Sequence, residues 1–107
     1  MIFISKHIVP KGFVGITLFP FIFLKEENLK EDKVLINHEK IHLKQQKELL
    51  ILFFYLIYGL EWVLKFFIYK NGYLAYKNLS FEREAYQNEN TPHYLKNRKN
   101  YSFMKYL

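Results

Sequence analysis

The segment Asp32-Lys33-Val34-Leu35-Ile36-Asn37-His38-Glu39-Lys40-Ile41-His42 joins a helix-start signal to an H-E-x-x-H pattern. Asp32 has the short acceptor side chain that closes the free N–H groups of a helix start. After it, Val34, Ile41, Leu49 and Leu50 are apolar, while Lys40, Lys44 and Lys47 fall elsewhere around the helix. This spacing predicts an amphipathic helix from about Lys33 to Tyr58, with Gly59 as its natural break. One helical turn is about 3.6 residues, so side chains at i and i+4 share a face. His38 and His42 can therefore reach one ion at about 2.0–2.1 Å, the usual zinc–imidazole distance. Glu39 is offset around the helix, where it can approach a metal-held water as general base rather than as a ligand.

Upstream, residues 1–24 read as strands. Ile2-Phe3-Ile4 and Ile8-Val9 are strand-like around the turn signal Pro10-Lys11-Gly12. Phe13 to Leu24 is β-branched and aromatic, and Pro20 within it suits an edge or a bulge. Residues 25–33 are charged and loop-like. Downstream, a second helix is expected from Leu60 to about Tyr69, ended by Asn71-Gly72. A third is expected from Ser80, its N-cap, to about Asn88. The expected fold class is α+β, with a short N-terminal β-hairpin or small sheet followed by about three helices. The metal site would lie between the motif helix and a later glutamate helix. One domain covers 1–107: strands in 1–24, a helical metal-binding region in 33–90 and a basic tail in 91–107.

The length of 107 residues fits a single domain with one modest core. Half the residues are hydrophobic and a fifth aromatic, which excludes a disordered chain. There is no cysteine, so a metal site must use His and carboxylates. The net charge of +6 resides mainly at the ends. The tail from Thr91 carries Lys96, Arg98, Lys99 and Lys105 and no acid. It is long enough to fold back over a cleft, where His93 or Tyr94 would reach an open metal position. No basic stripe crosses the middle of the chain, so no nucleic-acid partner is expected. The apolar first residues are interrupted by Pro10, Lys11 and Gly12 without a small-residue cleavage site, so no signal peptide is read there.

The run Leu49–Ile68 approaches the length that spans a bilayer. It contains Glu61 and Lys65, placed to pair at i,i+4. A charge at the centre of a lone spanning helix costs about 2.5–3.5 kcal/mol on insertion scales. Two helices buried or lying at an interface are therefore expected rather than a span. Contact with a membrane surface is compatible with the aromatic run and the basic tail. The expected location is cytoplasmic, or peripheral at the cytoplasmic membrane face.

A hydrolytic zinc site needs three protein ligands and one open position. Beyond His38 and His42 the candidates are His7, His93, Glu61, Glu82, Glu84 and Glu89. Glu61 has Lys65 as a partner, and the two histidines lie near the chain ends. Glu82 is favoured, because Ala85 one turn later would let its helix approach closely; Glu84 and Glu89 stay open. Gln45, Gln46 and Glu89 are candidates to orient the ligands, and Tyr76 and Tyr86 are candidate oxyanion donors.

With these residues the chain resembles the gluzincin zinc metallopeptidases, of a minimal single-domain kind. In that clan the third ligand is a glutamate on a later helix, often in Glu-x-x-Ala-Asp. The segment Ser80-Phe81-Glu82-Arg83-Glu84-Ala85-Tyr86 matches with Glu82 and Ala85, while Tyr86 stands where the family has Asp. The resemblance covers the two motif helices, under a third of the chain. It implies a zinc-dependent hydrolase acting on peptides or proteins, with His38, His42 and Glu82 on Zn²⁺ and Glu39 as base. The residues alone also suit a non-catalytic domain with a structural ion, or a membrane-associated interaction protein.

Overall fold

The computed structural model describes residues 1–107 and is α+β. Three short strands, β1 (Ile2–Ile4), β2 (Gly15–Leu18) and β3 (Phe21–Leu24), form one sheet in the order β1-β3-β2. β1 runs parallel to β3, and β2 antiparallel to it. Ile8-Val9 is not a strand. The Ser5 hydroxyl accepts from Ile8 N–H and the Ser5 carbonyl from Val9 N–H, which turns the chain there. The hairpin instead joins β2 to β3, and Pro20 occupies its connection. Ladder hydrogen bonds are not demanded there, so a residue without an N–H is tolerated.

After a 3₁₀ turn at Glu27–Glu31 come five helices: α1 (Lys33–Glu48), α2 (Leu52–Tyr69), α3 (Gly72–Lys77), α4 (Ser80–Asn88) and α5 (Tyr94–Asn97). A 3₁₀ turn at Ser102–Tyr106 closes the chain. Asp32 caps α1 as expected, its Oδ1 accepting from Leu35 N–H at 3.0 Å. Asn71 caps α3 in the same way through Leu74 N–H.

The expected helix from Lys33 to Tyr58 is instead two helices. The break falls at Leu50 and Ile51, whose φ angles are 55° and 63°. Leu52 N–H bonds to Leu50 C=O, closing a tight turn centred on Ile51. A side chain with positive φ is costly, so the contacts of the inward side of the next helix must hold it. Phe54 of α2 packs between the rings of this region, 4.6 Å from Phe81, which is itself 4.4 Å from Phe103. Gly59 is an ordinary position within α2, on an open face. The expected separate helix 60–69 is the second half of α2.

Ser80 opens α4 as its first residue, not as its cap. Its N–H and hydroxyl both donate to the Glu61 carboxylate, at 2.7 Å each. A carboxylate here meets the positive end of the helix. Lys65 lies 3.6 Å from Glu61 and also donates to Asn78 C=O.

Residues 91–107 are not a free basic tail. Arg98 reaches inward with its side chain fully enclosed. It binds both oxygens of Glu48, at 2.8 and 2.9 Å, and both of Glu84. Tyr94 OH also donates to Glu84, and Phe103 completes the core beside Phe81. Burial alone would raise the Glu84 pKa, but Arg98, Tyr94 and Gln45 hold it below the usual value.

Removing Arg98 would leave two shielded carboxylates facing each other. Arg98→Met should lower stability by about 3–5 kcal/mol, the cost of breaking a buried pair. Urea unfolding of the metal-free protein measures this. A loss below about 1 kcal/mol would mean that the pair is solvated.

Candidate metal centre

α1 and α4 pack side by side and bring their polar residues together. His38 and His42 project from α1, one turn apart, and Glu82 from the first turn of α4; all three are buried. The two Nε2 atoms are 3.2 Å apart. Glu82 Oε1 is 3.1 Å from His42 Nε2 and 3.5 Å from His38 Nε2. Three tetrahedral ligands at about 2.0–2.1 Å from zinc would be separated by about 3.3–3.4 Å. The observed triangle brackets that spacing, so the three atoms fit one ion with a fourth position left over.

The surrounding contacts set the orientation of each ligand. Gln45 donates its amide protons to Phe81 C=O at 3.0 Å and to Glu84 Oε1 at 2.9 Å. Its Oε1 is thereby the acceptor for His42 Nδ1–H, at 2.8 Å. With the proton of a neutral ring held on Nδ1, Nε2 presents its lone pair to the cluster. His38 Nδ1 faces Glu89 Oε1 at 3.4 Å. Thus a carboxylate stands behind His38. Tyr86 lays its ring against His38, with centroids 4.5 Å apart. Glu82 Oε2 accepts from Tyr58 OH at 2.9 Å.

Glu39 is buried, and Thr17 OH lies 2.7 Å from its Oε1. Gly15 of β2 lies in van der Waals range of the same side chain: a Cβ there would be 3.6 Å from Glu39 Cγ, and 3.2 Å from Leu24 Cδ2 on β3. Gln46 braces the same strand, donating to Thr17 C=O and accepting from Phe19 N–H. Its amide is committed to β2 and does not touch the ligands, although the residue lines the cavity.

That cavity has a volume of about 240 Å³. His38, Glu39, His42 and Glu82 share its wall with all of β2, Phe54, Tyr55, Tyr58 and Tyr76. Burial first, then the nearby Glu82 carboxylate, push the Tyr58 and Tyr76 hydroxyls far above the usual phenol range, so both are protonated. Tyr76 OH pairs with Tyr86 OH at 3.0 Å.

The other third-ligand candidates are placed elsewhere. Glu61 caps α4, Glu84 belongs to the Arg98 cluster, and His7 and His93 are exposed. Tyr94 OH is held by Glu84 and is not over the site. Thr17 and Tyr58 carried no sequence signal, since each reaches its glutamate across more than twenty residues of chain.

In the metal-free protein, burial works against a charge on His42, but the Glu82 carboxylate wins and raises its pKa from 6.5 to about 9. Burial likewise opposes the charge of Glu82, and His42 and His38 outweigh it, holding Glu82 well below the usual carboxylate range. The stabilising effect of His42 is therefore full below pH 6.5 and is lost as the pH rises through about 9. That of Glu82 is present above pH 4.5 and is lost in stronger acid.

Metal-free protein should accordingly melt at a lower temperature at pH 9.5 than at about pH 6. Zinc affinity should run the other way and tighten over the same range, because His42 must give up its proton to bind. Thermal melts and zinc competition titrations at both pH values test this; parallel trends would contradict the arrangement. Glu82→Gln should weaken zinc binding more than Glu84→Gln. Compared with protein-family models, curated proteins and solved structures, the chain matches none.

Proposed function

We propose that the protein is a zinc-dependent hydrolase of the metallopeptidase type, acting on peptide bonds. The observation that carries this reading is the His38–His42–Glu82 triangle opening onto a cavity that Glu39 also lines. Neither a second acid nor a fourth ligand is needed for the chemistry, and the donor set suits zinc.

Zinc, when bound, would make a water acidic and polarise the carbonyl of the scissile bond. His38, His42 and Glu82 would hold it. Glu39 would take the proton from the attacking water as its oxygen bonds to the carbonyl carbon. Glu39 would then pass that proton to the amine nitrogen as the C–N bond breaks. Thr17 donating to Glu39 Oε1 aims the carboxylate while leaving Oε2 for the proton. Tyr76, protonated and on the cavity wall, would donate to the developing oxyanion. A peptide substrate is favoured because β2 is an edge strand and all four of its residues line the cavity. An extended chain can lie along such an edge.

Glu39→Ala should keep the fold and about one zinc per chain while lowering turnover of an unstructured protein substrate by about 10²–10⁴-fold. Elemental analysis and a cleavage assay on the same preparations measure both. Full activity in Glu39→Ala would remove the glutamate from the mechanism. Zinc retained by a His38→Ala/His42→Ala protein would remove the site altogether.

A further inference from the structure

α2 is divided by chemistry along its length. Its inward side carries Phe54, Tyr58, Glu61 and Lys65, which meet the core, Glu82, Ser80 and Asn78. Its outward side carries Leu52, Leu56, Leu60, Val63, Phe67 and Ile68, all exposed; Leu60 is 64% and Phe67 71% accessible. At about 100° per residue these six cover nearly half the circumference, with no polar residue among them. The helix has 18 residues and a mean hydropathy of 1.5, yet only 11% of it is buried. Exposed apolar surface of this extent marks an interaction site.

Charge identifies the occupant. Every acid between residues 49 and 90 is withdrawn from the surface: Glu61, Glu82 and Glu84 are buried and Glu89 is half-buried. Lys47, in the last turn of α1 before the bend, and Lys70, at the C-cap of α2, are both exposed. The surface around it is therefore apolar and positive, which complements an anionic lipid bilayer. A second copy of this chain would bring like charges together. A single helix face about 27 Å long and 10–12 Å wide also offers only about 450 Å² as a half-cylinder. A stable dimer needs about 800 Å² per partner.

We infer that α2 docks in the plane of an anionic membrane surface, its outward face in the outer acyl region and its inward face remaining part of the globule. It does not span. Glu61 and Lys65 lie near its middle, bound to Ser80 and Asn78, so a span would drag the start of α4 into hydrocarbon. Docking leaves the cavity on the side of α2 away from the lipid, because Phe54 and Tyr58 of its inward side line it. The inference is independent of whether the site is catalytic.

Flotation of the full-length protein with vesicles of phosphatidylethanolamine and phosphatidylglycerol tests this. The protein should float with these vesicles, more weakly with pure phosphatidylcholine, and should be released by carbonate. Leu60→Gln/Val63→Gln/Phe67→Gln should lower partitioning by about tenfold or more while circular dichroism is unchanged. The chain has no cysteine, so Phe67→Cys carrying a polarity-sensitive dye reports on this face even if the triple variant misfolds. Its emission should shift to the blue on adding anionic vesicles, while the same dye at Lys44→Cys on α1 should not respond. No flotation, equal flotation of a folded triple variant, or an unresponsive dye at position 67 would overturn the inference. Retention after carbonate would replace docking with a span, and concentration-dependent dimers lost in the triple variant would assign the face to a second copy.

Discussion

Burying an ionised carboxylate costs several kcal/mol unless donors meet it, and this small chain buries four: Glu39, Glu61, Glu82 and Glu84. Each is answered by groups from another element. Thr17 of β2 meets Glu39, and Ser80 of α4 meets Glu61. His42 of α1 and Tyr58 of α2 meet Glu82, and Arg98 meets Glu84. No buried side-chain nitrogen or oxygen is left without a partner. With so modest an apolar core, these pairings fix how the sheet, the helices and the C-terminal residues sit on one another. Hydrophobic contact alone, being non-directional, would permit several arrangements.

The candidate site is one region of this polar framework. Gln45 joins the two halves: it orients His42 on one side and touches Glu84 on the other. The Arg98 cluster, near the end of the chain, is therefore two hydrogen-bonded contacts from a candidate ligand. Glu61 acts in parallel by seating the first residue of α4, two positions before Glu82. The helix carrying the carboxylate is located by groups on α1, α2 and the C-terminal segment together.

The α+β class, the motif helix and its Asp32 cap were legible because they rest on local rules: a repeat of 3.6 and a side chain bonding three residues ahead. Glu82 was legible through its spacing from Ala85, and its approach to the histidines follows from close packing of α4 on α1. What is not local was hidden. Thr17 and Tyr58 are ordinary strand and helix residues until the fold delivers them to Glu39 and Glu82. Arg98 looked like one charge in a basic tail, because counting charges does not reveal that Glu48 and Glu84 converge on it. The break between α1 and α2 was misplaced for a related reason. Glycine is the cheap residue for positive φ, so Gly59 drew attention, whereas tertiary contacts hold Leu50 and Ile51 in that conformation.

That bend makes the molecule a sprung rod. Left to local preference, residues 33–69 would form one continuous helix, since nothing in Leu49-Leu50-Ile51-Leu52 resists it. Two residues with positive φ cost about 2–4 kcal/mol together. Burying Phe54 returns about 1.5–3 kcal/mol, and the contacts of Tyr58 and Glu61 supply the remainder. Weakening the aromatic seat formed by Phe81 and Phe103 would leave the bend to the polar ties of α2 alone: Tyr58 to Glu82, Glu61 to Ser80 and Lys65 to Asn78. The aromatic core and these polar ties together serve as the catch that keeps the arm folded.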